Sequence, residues 1–320
     1  MGIFQRTTGW QYPGSVMIEL TRCNLCGSNK HSVLYKTYSG DITLERESYK
    51  ITDHTVSGPI RIVRCNSCGL IYANPHPTAQ KLINAYINMV DKSYLEEEAG
   101  RRLSARSILK ILYKLKIHGR LLDIGSATGF FLDEARKNDW EVNGVELSDW
   151  AIDYAKSRLC INNIFHGILK DVHYPDNYFD AIILKDVIEH IADPKDTLIE
   201  IRRILKPKGI LCINTPDIGS FVSKLLKAQW WRVNQFHLYY FNRKTLYKML
   251  EVSGFKPIKT KSHARTFSIK YWASKFKDYN KKIYSFLVFL IRYNVIANKL
   301  LTINLGDQIE IYACKTRKLR

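Results

Sequence analysis

Two cysteine pairs mark the first site of possible chemistry in this 320-residue chain: Cys23-Asn24-Leu25-Cys26 and Cys65-Asn66-Ser67-Cys68, each followed at once by glycine. Thiolates two residues apart can both reach one tetrahedral Zn²⁺, and the glycine frees the turn so that backbone amides point at the sulfurs. Four thiolates leave no open coordination position, so the zinc expected on Cys23, Cys26, Cys65 and Cys68 is structural. Four reduced, unliganded cysteines are the alternative, yet a module this small has little core and gains much from a metal. A second constellation runs Leu121-Leu122-Asp123-Ile124-Gly125-Ser126-Ala127-Thr128-Gly129-Phe130: a buried strand, a loop of small residues, then a helix start. Such a loop turns sharply and brings its backbone against a ligand, and taken alone it could serve a dinucleotide. Glu146, followed by Leu147, closes the next strand, where a carboxylate can accept both hydroxyls of a ribose. Asp171, in Gly-Ile-Leu-Lys-Asp-Val, follows the third strand and could take the exocyclic amine of adenine.

These residues need a parallel sheet to bring them together. From Arg120 onward apolar runs and helical patterns alternate at the spacing of a doubly wound α/β fold. Strands are expected at 120–124, 141–146, 164–167, 179–184, 209–214, 255–262 and 308–315, with helices starting near Gly129, Ser148, Pro194 and Asn242. The expected organisation is a zinc-ribbon-like module over 17–77, ended by Asn74-Pro75-His76-Pro77, then covering helices within 78–118. The main domain follows over 119–320, with a lid at 216–241 and an insertion at 263–305. Short strands at Ser32–Tyr38 and Ile60–Arg64 would tie the two cysteine knuckles together.

Asp123-Ile-Gly-Ser-Ala-Thr-Gly129, Pro175-Asp-Asn-Tyr-Phe-Asp180 and Asp186-Val-Ile-Glu-His-Ile-Ala-Asp-Pro194 together resemble the class I methyltransferases related to ubiquinone- and sugar-methylating enzymes. Arg64-Cys-Asn-Ser-Cys-Gly-Leu-Ile-Tyr-Ala-Asn-Pro75 and His237-Leu-Tyr-Tyr-Phe241 resemble a branch of that family with an N-terminal zinc module. The resemblance implies a Rossmann-like sheet of seven strands with the last antiparallel, S-adenosylmethionine as cofactor, and often a sugar or glycan precursor as acceptor. It implies that Asp123, Gly125 and Gly129 shape the methionine pocket and that Glu146 holds the ribose, with Ser126 and Leu147 among the cofactor-binding residues. Asp171 and Val172 would flank the adenine, while Lys185 and Asp186 line the end of the fourth strand. Ala127 stands where the family's loop has its central glycine, which is tolerable if φ is negative there.

Methyl transfer to a hydroxyl or amine needs alignment and a base. His190, just beyond the fourth strand, is the first candidate for that base, and His237 in the lid is the second. Glu189 could instead help hold a divalent ion, as in some ubiquinone-type relatives. Trp230, Trp231, Arg232, Gln235, Tyr239 and Tyr240 suit either a sugar ring or plain packing.

The formal net charge is +19, and from Phe255 to Arg320 fifteen Lys or Arg stand against Asp278, Asp307 and Glu310. That balance favours an anionic substrate, a nucleic acid backbone or an acidic lipid surface as partner. The apolar run Ile283–Ile291, flanked by lysines and Arg292, is too short to span a bilayer. It could lie in an anionic membrane interface, or serve as a core or dimer helix. Cys160, Cys212 and Cys314 stand alone in apolar runs, which argues against a secreted disulfide scaffold and for the cytoplasm. Two competitors to a small-molecule or glycan-precursor O-methyltransferase remain open: an RNA methyltransferase, and a non-catalytic zinc and cofactor-binding scaffold. Against the RNA reading, Asn214-Thr-Pro-Asp217 comes a strand too late for a base-methylating motif, and Asp41, Glu45, Glu47 and Asp53 balance the basic residues of the zinc segment.

Overall fold

The computed structural model describes residues 18–36, 61–234, 236–277, 281–292 and 294–316. Residues 37–60, with four of the acidic residues named above, and Gln235 of the expected lid lie outside the described residues.

Seven strands form the central sheet: β1 Arg120–Ile124, β2 Glu141–Glu146, β3 Ile164–His166, β4 Phe179–Lys185, β5 Leu205–Pro216, β6 Phe255–Ser262 and β7 Gln308–Lys315. Their order is β6-β7-β5-β4-β1-β2-β3. β7 runs antiparallel to both β5 and β6, whereas β1 through β5 pair in parallel. This is the Rossmann-like α/β architecture expected from the sequence, with the last strand reversed. The central strands read as unbroken apolar runs because both faces are covered. Leu122, Ile124, Ile182, Leu184, Leu211 and Ile213 pack on one face, and Leu121, Ala181, Ile183 and Cys212 on the other, as alternation along a strand requires. Strand order reverses between β1 and β4, so the loops leaving these two strands diverge and open a crevice at their carboxyl ends.

Among the described residues, three helices precede the sheet: α1 Ala79–Ile87, α2 Lys92–Glu96 and α3 Glu98–Lys114. Arg102 on α3 reaches Asp133 at 2.6 Å and Glu134 at 2.9 Å, and Arg106 reaches Glu134 at 2.6 Å, which fixes α3 along the helix Phe130–Arg136. The insertion begins as a hairpin of Arg265–Ser268 with Leu300–Ile303. Glu97 holds it down by accepting from the Ser268 amide at 2.7 Å and hydroxyl at 2.6 Å. Gly100 lies so close to it that a Cβ would sit 2.0 Å from the Thr266 carbonyl oxygen. Beyond the hairpin, the helix Lys281–Leu290 turns Tyr284 and Leu287 inward but leaves Phe286 and Phe289 61% and 58% exposed. Among the described residues, no helix is long and apolar enough to cross a membrane.

The cysteine module is built on His31–Tyr35, Ile62–Cys65 and Ile71–Ala73, and its sheet takes a fourth strand, Tyr239–Tyr240, from the lid. The Leu238 carbonyl also accepts from the Ala73 amide at 2.8 Å.

Candidate active site

A cavity of about 480 Å³ opens at the carboxyl ends of β1 and β4, a size typical of ligand sites. At one end lies the loop after β1. Gly125 has φ +72°, and a Cβ there would come within 2.5 Å of Val187 Cγ2, so only glycine fits. Gly129, at φ +80°, starts the helix Phe130–Arg136 and faces Ala155 rather than the cavity. Ala127 departs from the expectation: its φ is +46°, in the left-handed region, where a side chain costs about 1–2 kcal/mol. Glu146 holds it there, since its Oε2 accepts from the Ala127 amide at 2.7 Å.

The other Glu146 oxygen accepts from the amides of Leu147 at 2.8 Å and Ser148 at 2.9 Å. Burial raises this carboxyl's pKa, and the three amides pull it back. Three donors leave one lone-pair direction of the carboxylate for a hydroxyl. Asp123, 4% exposed at the cavity wall, makes no ion pair among the described residues. Burial pushes its carboxyl up to about 8 against the pull of Lys185, the state of an acid that lacks its cation. Burial lowers Lys185 in turn. Asp186 is half-buried, and Arg232 and Lys185 hold it below the usual carboxylate range against the effect of burial, while Gln308 donates to it at 3.1 Å. Ser126, Glu146, Leu147, Lys185 and Asp186 all line the cavity with Asp123. Asp171 and Val172 do not: Asp171 points to solvent from the short helix Leu169–Val172, and Gly167, Ile168, Leu169 and Lys170 form that wall.

His190 and His237 meet at the far end, their rings 4.7 Å apart edge to face. The Phe236 carbonyl lies 2.9 Å from His190 Nδ1, and a carbonyl can only accept. Nδ1 therefore carries the proton, the Tyr86 hydroxyl 2.9 Å away shares it, and Nε2 presents its lone pair. Burial lowers His190 to about 4 and His237 well below the usual imidazole range, where His190 and Arg232 add repulsion. Both rings are neutral at pH 7. Glu189 accepts from the Thr215 hydroxyl at 2.9 Å through one oxygen, while its other oxygen and His237 Nδ1 have no partner. Burial and the Asp186 charge push Glu189 up to about 8. One ligand atom from each of Glu189, His190 and His237 lies within 4.8 Å of the others, close enough for all three to share a metal ion.

A family model described as "Methyltransferase domain" matches residues 94–260. The chain belongs to that methyltransferase family. Over 148 residues it is 32% identical to an uncharacterized methyltransferase of Schizosaccharomyces pombe, covering 42% of this chain and 53% of that one. The chain thus spans about half the length of that relative. Over 220 residues it is 26% identical to a ubiquinone biosynthesis O-methyltransferase of Cereibacter sphaeroides, covering 63% of this chain and 85% of that one. A solved S-adenosylmethionine-dependent methyltransferase from Archaeoglobus fulgidus aligns at TM-score 0.49 and 20% identity, over 70% of this chain and all of that one.

This methyltransferase domain carries features that fit the cofactor of its family. Asp123 lacks a cation that an ammonium would supply, Glu146 keeps a free acceptor direction, and Ile168 and Leu169 give an apolar wall for a flat ring. Sequence reasoning missed several wall residues: Tyr86, Met89, Tyr94 and Arg101 from the covering helices, and Phe267 and Tyr271 from the insertion. Arg101 stacks on Tyr94, 3.5 Å from the ring centre. Of the lid aromatics, Trp230 is buried with Ile62, Ile71 and Tyr240 and does not reach the cavity, whereas Arg232, Asn234, Phe236 and His237 do.

The two cysteine knuckles repeat one geometry. Gly27 and Gly69 take φ of +74° and +80°, and their amides return to the carbonyls of Cys23 and Cys65. Cys23 and Cys68 sulfurs lie 3.4 Å apart and those of Cys26 and Cys65 3.5 Å, with all four within 4.8 Å. Four ligands at the usual Zn–S length of about 2.3 Å span similar distances. Burial raises the Cys65 thiol, but the amides of Cys68 and Ser67 more than offset this and bring it down to about 7. Asn24 docks this module on the helix Pro194–Ile204, donating to Asp193 at 2.9 Å and accepting from the Lys195 amide at 3.0 Å.

Proposed function

We propose that the protein methylates a hydroxyl of a small sugar-like or glycan-precursor acceptor. One observation carries this reading: a single cavity runs from Asp123 and Glu146 to two neutral histidines, His190 half-buried and His237 buried. Bound S-adenosylmethionine supplies a methyl already activated by its sulfonium. Asp123 would take the ammonium of the cofactor and Glu146 a ribose hydroxyl, with Lys185 and Asp186 beneath the methionine end. The helices α1 to α3 and the lid exclude water, so the acceptor is held in line rather than free to tumble. His190 Nε2 accepts the acceptor's proton, and Phe236 keeps the tautomer that leaves Nε2 open. Burial and the Arg232 charge keep His190 neutral before the reaction, with His237 packed edge to face against it. A second reading follows from the unpartnered Glu189 oxygen and His237 Nδ1: a divalent ion on Glu189, His190 and His237 would polarise the hydroxyl instead.

Zinc on Cys23, Cys26, Cys65 and Cys68 would be structural here, with no position left for substrate. Its role in this reading is to hold the ribbon sheet whose fourth strand, Tyr239–Tyr240, adjoins His237. The outward Phe286 and Phe289, with Lys281 and Lys282 on the same helix, favour peripheral contact with an anionic membrane surface.

Turnover of labelled cofactor with sugar-like acceptors tests the reading. His190→Ala is expected to lower kcat by roughly 10² to 10⁴ with cofactor affinity unchanged. Full turnover in His190→Ala with loss in His237→Ala would move the base to the lid. Restoration of wild-type activity by added divalent metal after metal stripping would favour the second reading.

A further inference from the structure

Among the described residues, Arg232 is the one buried cation of the cavity wall whose situation the methyl-transfer reading does not use. It is 8% exposed, lies between the short helix Lys227–Gln229 and His237, and lines the cavity. Its guanidinium makes no hydrogen bond and no ion pair among the described residues, and its Nε is fully buried without a partner. The neighbouring arginines differ. Arg265 gives Asp307 two contacts of 2.7 Å, and Arg101 donates to the Tyr94 carbonyl at 3.2 Å while stacking on that ring.

A guanidinium always carries its charge, and a charge this little exposed, with its Nε–H out of water, is costly unless an anion meets it. The surroundings do not supply enough negative charge. Asp186 accepts from Gln308 at 3.1 Å and Glu189 from the Thr215 hydroxyl at 2.9 Å, and among the described residues neither carboxylate comes within ion-pair distance of Arg232. Arg232, Arg101 and Arg265 all act on the Tyr271 hydroxyl, with Glu97 opposing them.

We propose that Arg232 anchors an acidic group, a carboxylate or a phosphate, on the methyl acceptor. The guanidinium fork pairs with two oxygens of such a group and so fixes direction as well as position. The adjoining His190 Nε2 would then face a hydroxyl on the same molecule, which makes the acceptor an acidic or phosphorylated sugar-like compound. This rests on the methyl-transfer reading for the word acceptor, but the anion site itself can be tested without turnover.

The test titrates inorganic phosphate, and separately glucuronate against glucose, into the full chain saturated with S-adenosylhomocysteine, following thermal stability and calorimetric heat. Phosphate and glucuronate are expected to bind and glucose not. Arg232→Gln should weaken both anions by roughly tenfold to a hundredfold, the range for a charged hydrogen-bonded contact. Arg232→Lys, which keeps the charge but loses the fork, should fall between. Cofactor affinity should change less than about threefold in both variants. The free Arg232→Gln protein should also melt no lower than wild type, since it sheds an unpaired buried charge. Anion binding equal in wild type and Arg232→Gln overturns the proposal. A tenfold loss of cofactor affinity in Arg232→Gln overturns it too, by placing the cofactor's own carboxylate on this arginine. Should Arg232→Gln fail to fold, Arg232→Lys decides: undiminished phosphate and glucuronate affinity there removes the bidentate anchor.

Discussion

Replacing Asp123 by asparagine should make the free protein more stable and its cofactor binding weaker, opposite effects that a purely structural aspartate would not produce. Asp123 sits in β1 with 4% of its surface exposed, and burial pushes its carboxyl from 3.8 up to about 8. The unfolded chain therefore releases this proton near pH 4, while the folded chain keeps it until about pH 8. Across that window the unfolded state binds fewer protons, so stability falls as pH rises and levels off only above pH 8. The loss amounts to at most about 4 kcal/mol at pH 7 and about 1.5 kcal/mol at pH 5. Asparagine has the same shape and no proton to lose, so Asp123→Asn should recover about 1–4 kcal/mol at pH 7 and less at pH 5. Urea unfolding of both proteins at the two pH values reads this directly. Calorimetry should show S-adenosylmethionine binding about tenfold to a hundredfold more weakly, as expected when a charged acceptor becomes a neutral amide. A gain of equal size at pH 5 and pH 7 would refute the burial argument, and unchanged cofactor affinity would refute the assignment of Asp123 to the ammonium.

Gly100→Ala would drive a Cβ to 2.0 Å from the Thr266 backbone oxygen, so it should destabilise by about 1–3 kcal/mol although alanine favours helices; a neutral result in denaturant unfolding would show that the hairpin yields freely. Metal analysis of gently purified protein should find one zinc per chain, and its chelation should depress acceptor turnover more than cofactor binding, because Tyr239–Tyr240 lose their sheet partner beside His237. Finding no zinc would dismiss the module's metal. In sedimentation with vesicles the protein should follow phosphatidylglycerol-containing but not neutral membranes, and the double variant Phe286→Ser, Phe289→Ser should remain in the supernatant; equal binding to both membranes would dismiss the charge argument.

Much of the central sheet was legible because its strands are continuous apolar runs, and a run such as Phe179–Lys185 can only be stable with both faces covered. β1 and β2 fall where the sequence places them, and the loop between β1 and the next helix announces itself through small residues. The fifth strand is longer than expected, reaching back to Leu205, because that residue pairs with Phe179 across an irregularity that no local pattern encodes. The left-handed Ala127 was hidden for a related reason: its conformation is imposed from outside by Glu146, a residue on the neighbouring strand. Asp171 was expected at the adenine because it follows the third strand, yet the helix Leu169–Val172 turns it to solvent and puts Ile168 and Leu169 at the wall.

What sequence could not reveal are the joins between distant segments. Tyr239 pairs with Tyr72 across 167 positions, and nothing in either dipeptide marks it as an edge strand seeking a partner. That pairing, with the Leu238 amide donating to the Glu189 carbonyl at 2.8 Å, sets His237 against His190. Arg232 was placed in the lid by its position after the fifth strand, but that its Nε would be buried there without a partner is visible only once the fold closes over it. The consequence for catalysis is physical: the two histidines reach each other only when ribbon, lid and the loop after β4 are assembled together. A loosened ribbon should therefore disturb the acceptor end first, while the loop after β1 and Glu146, held by the parallel sheet alone, keep their geometry.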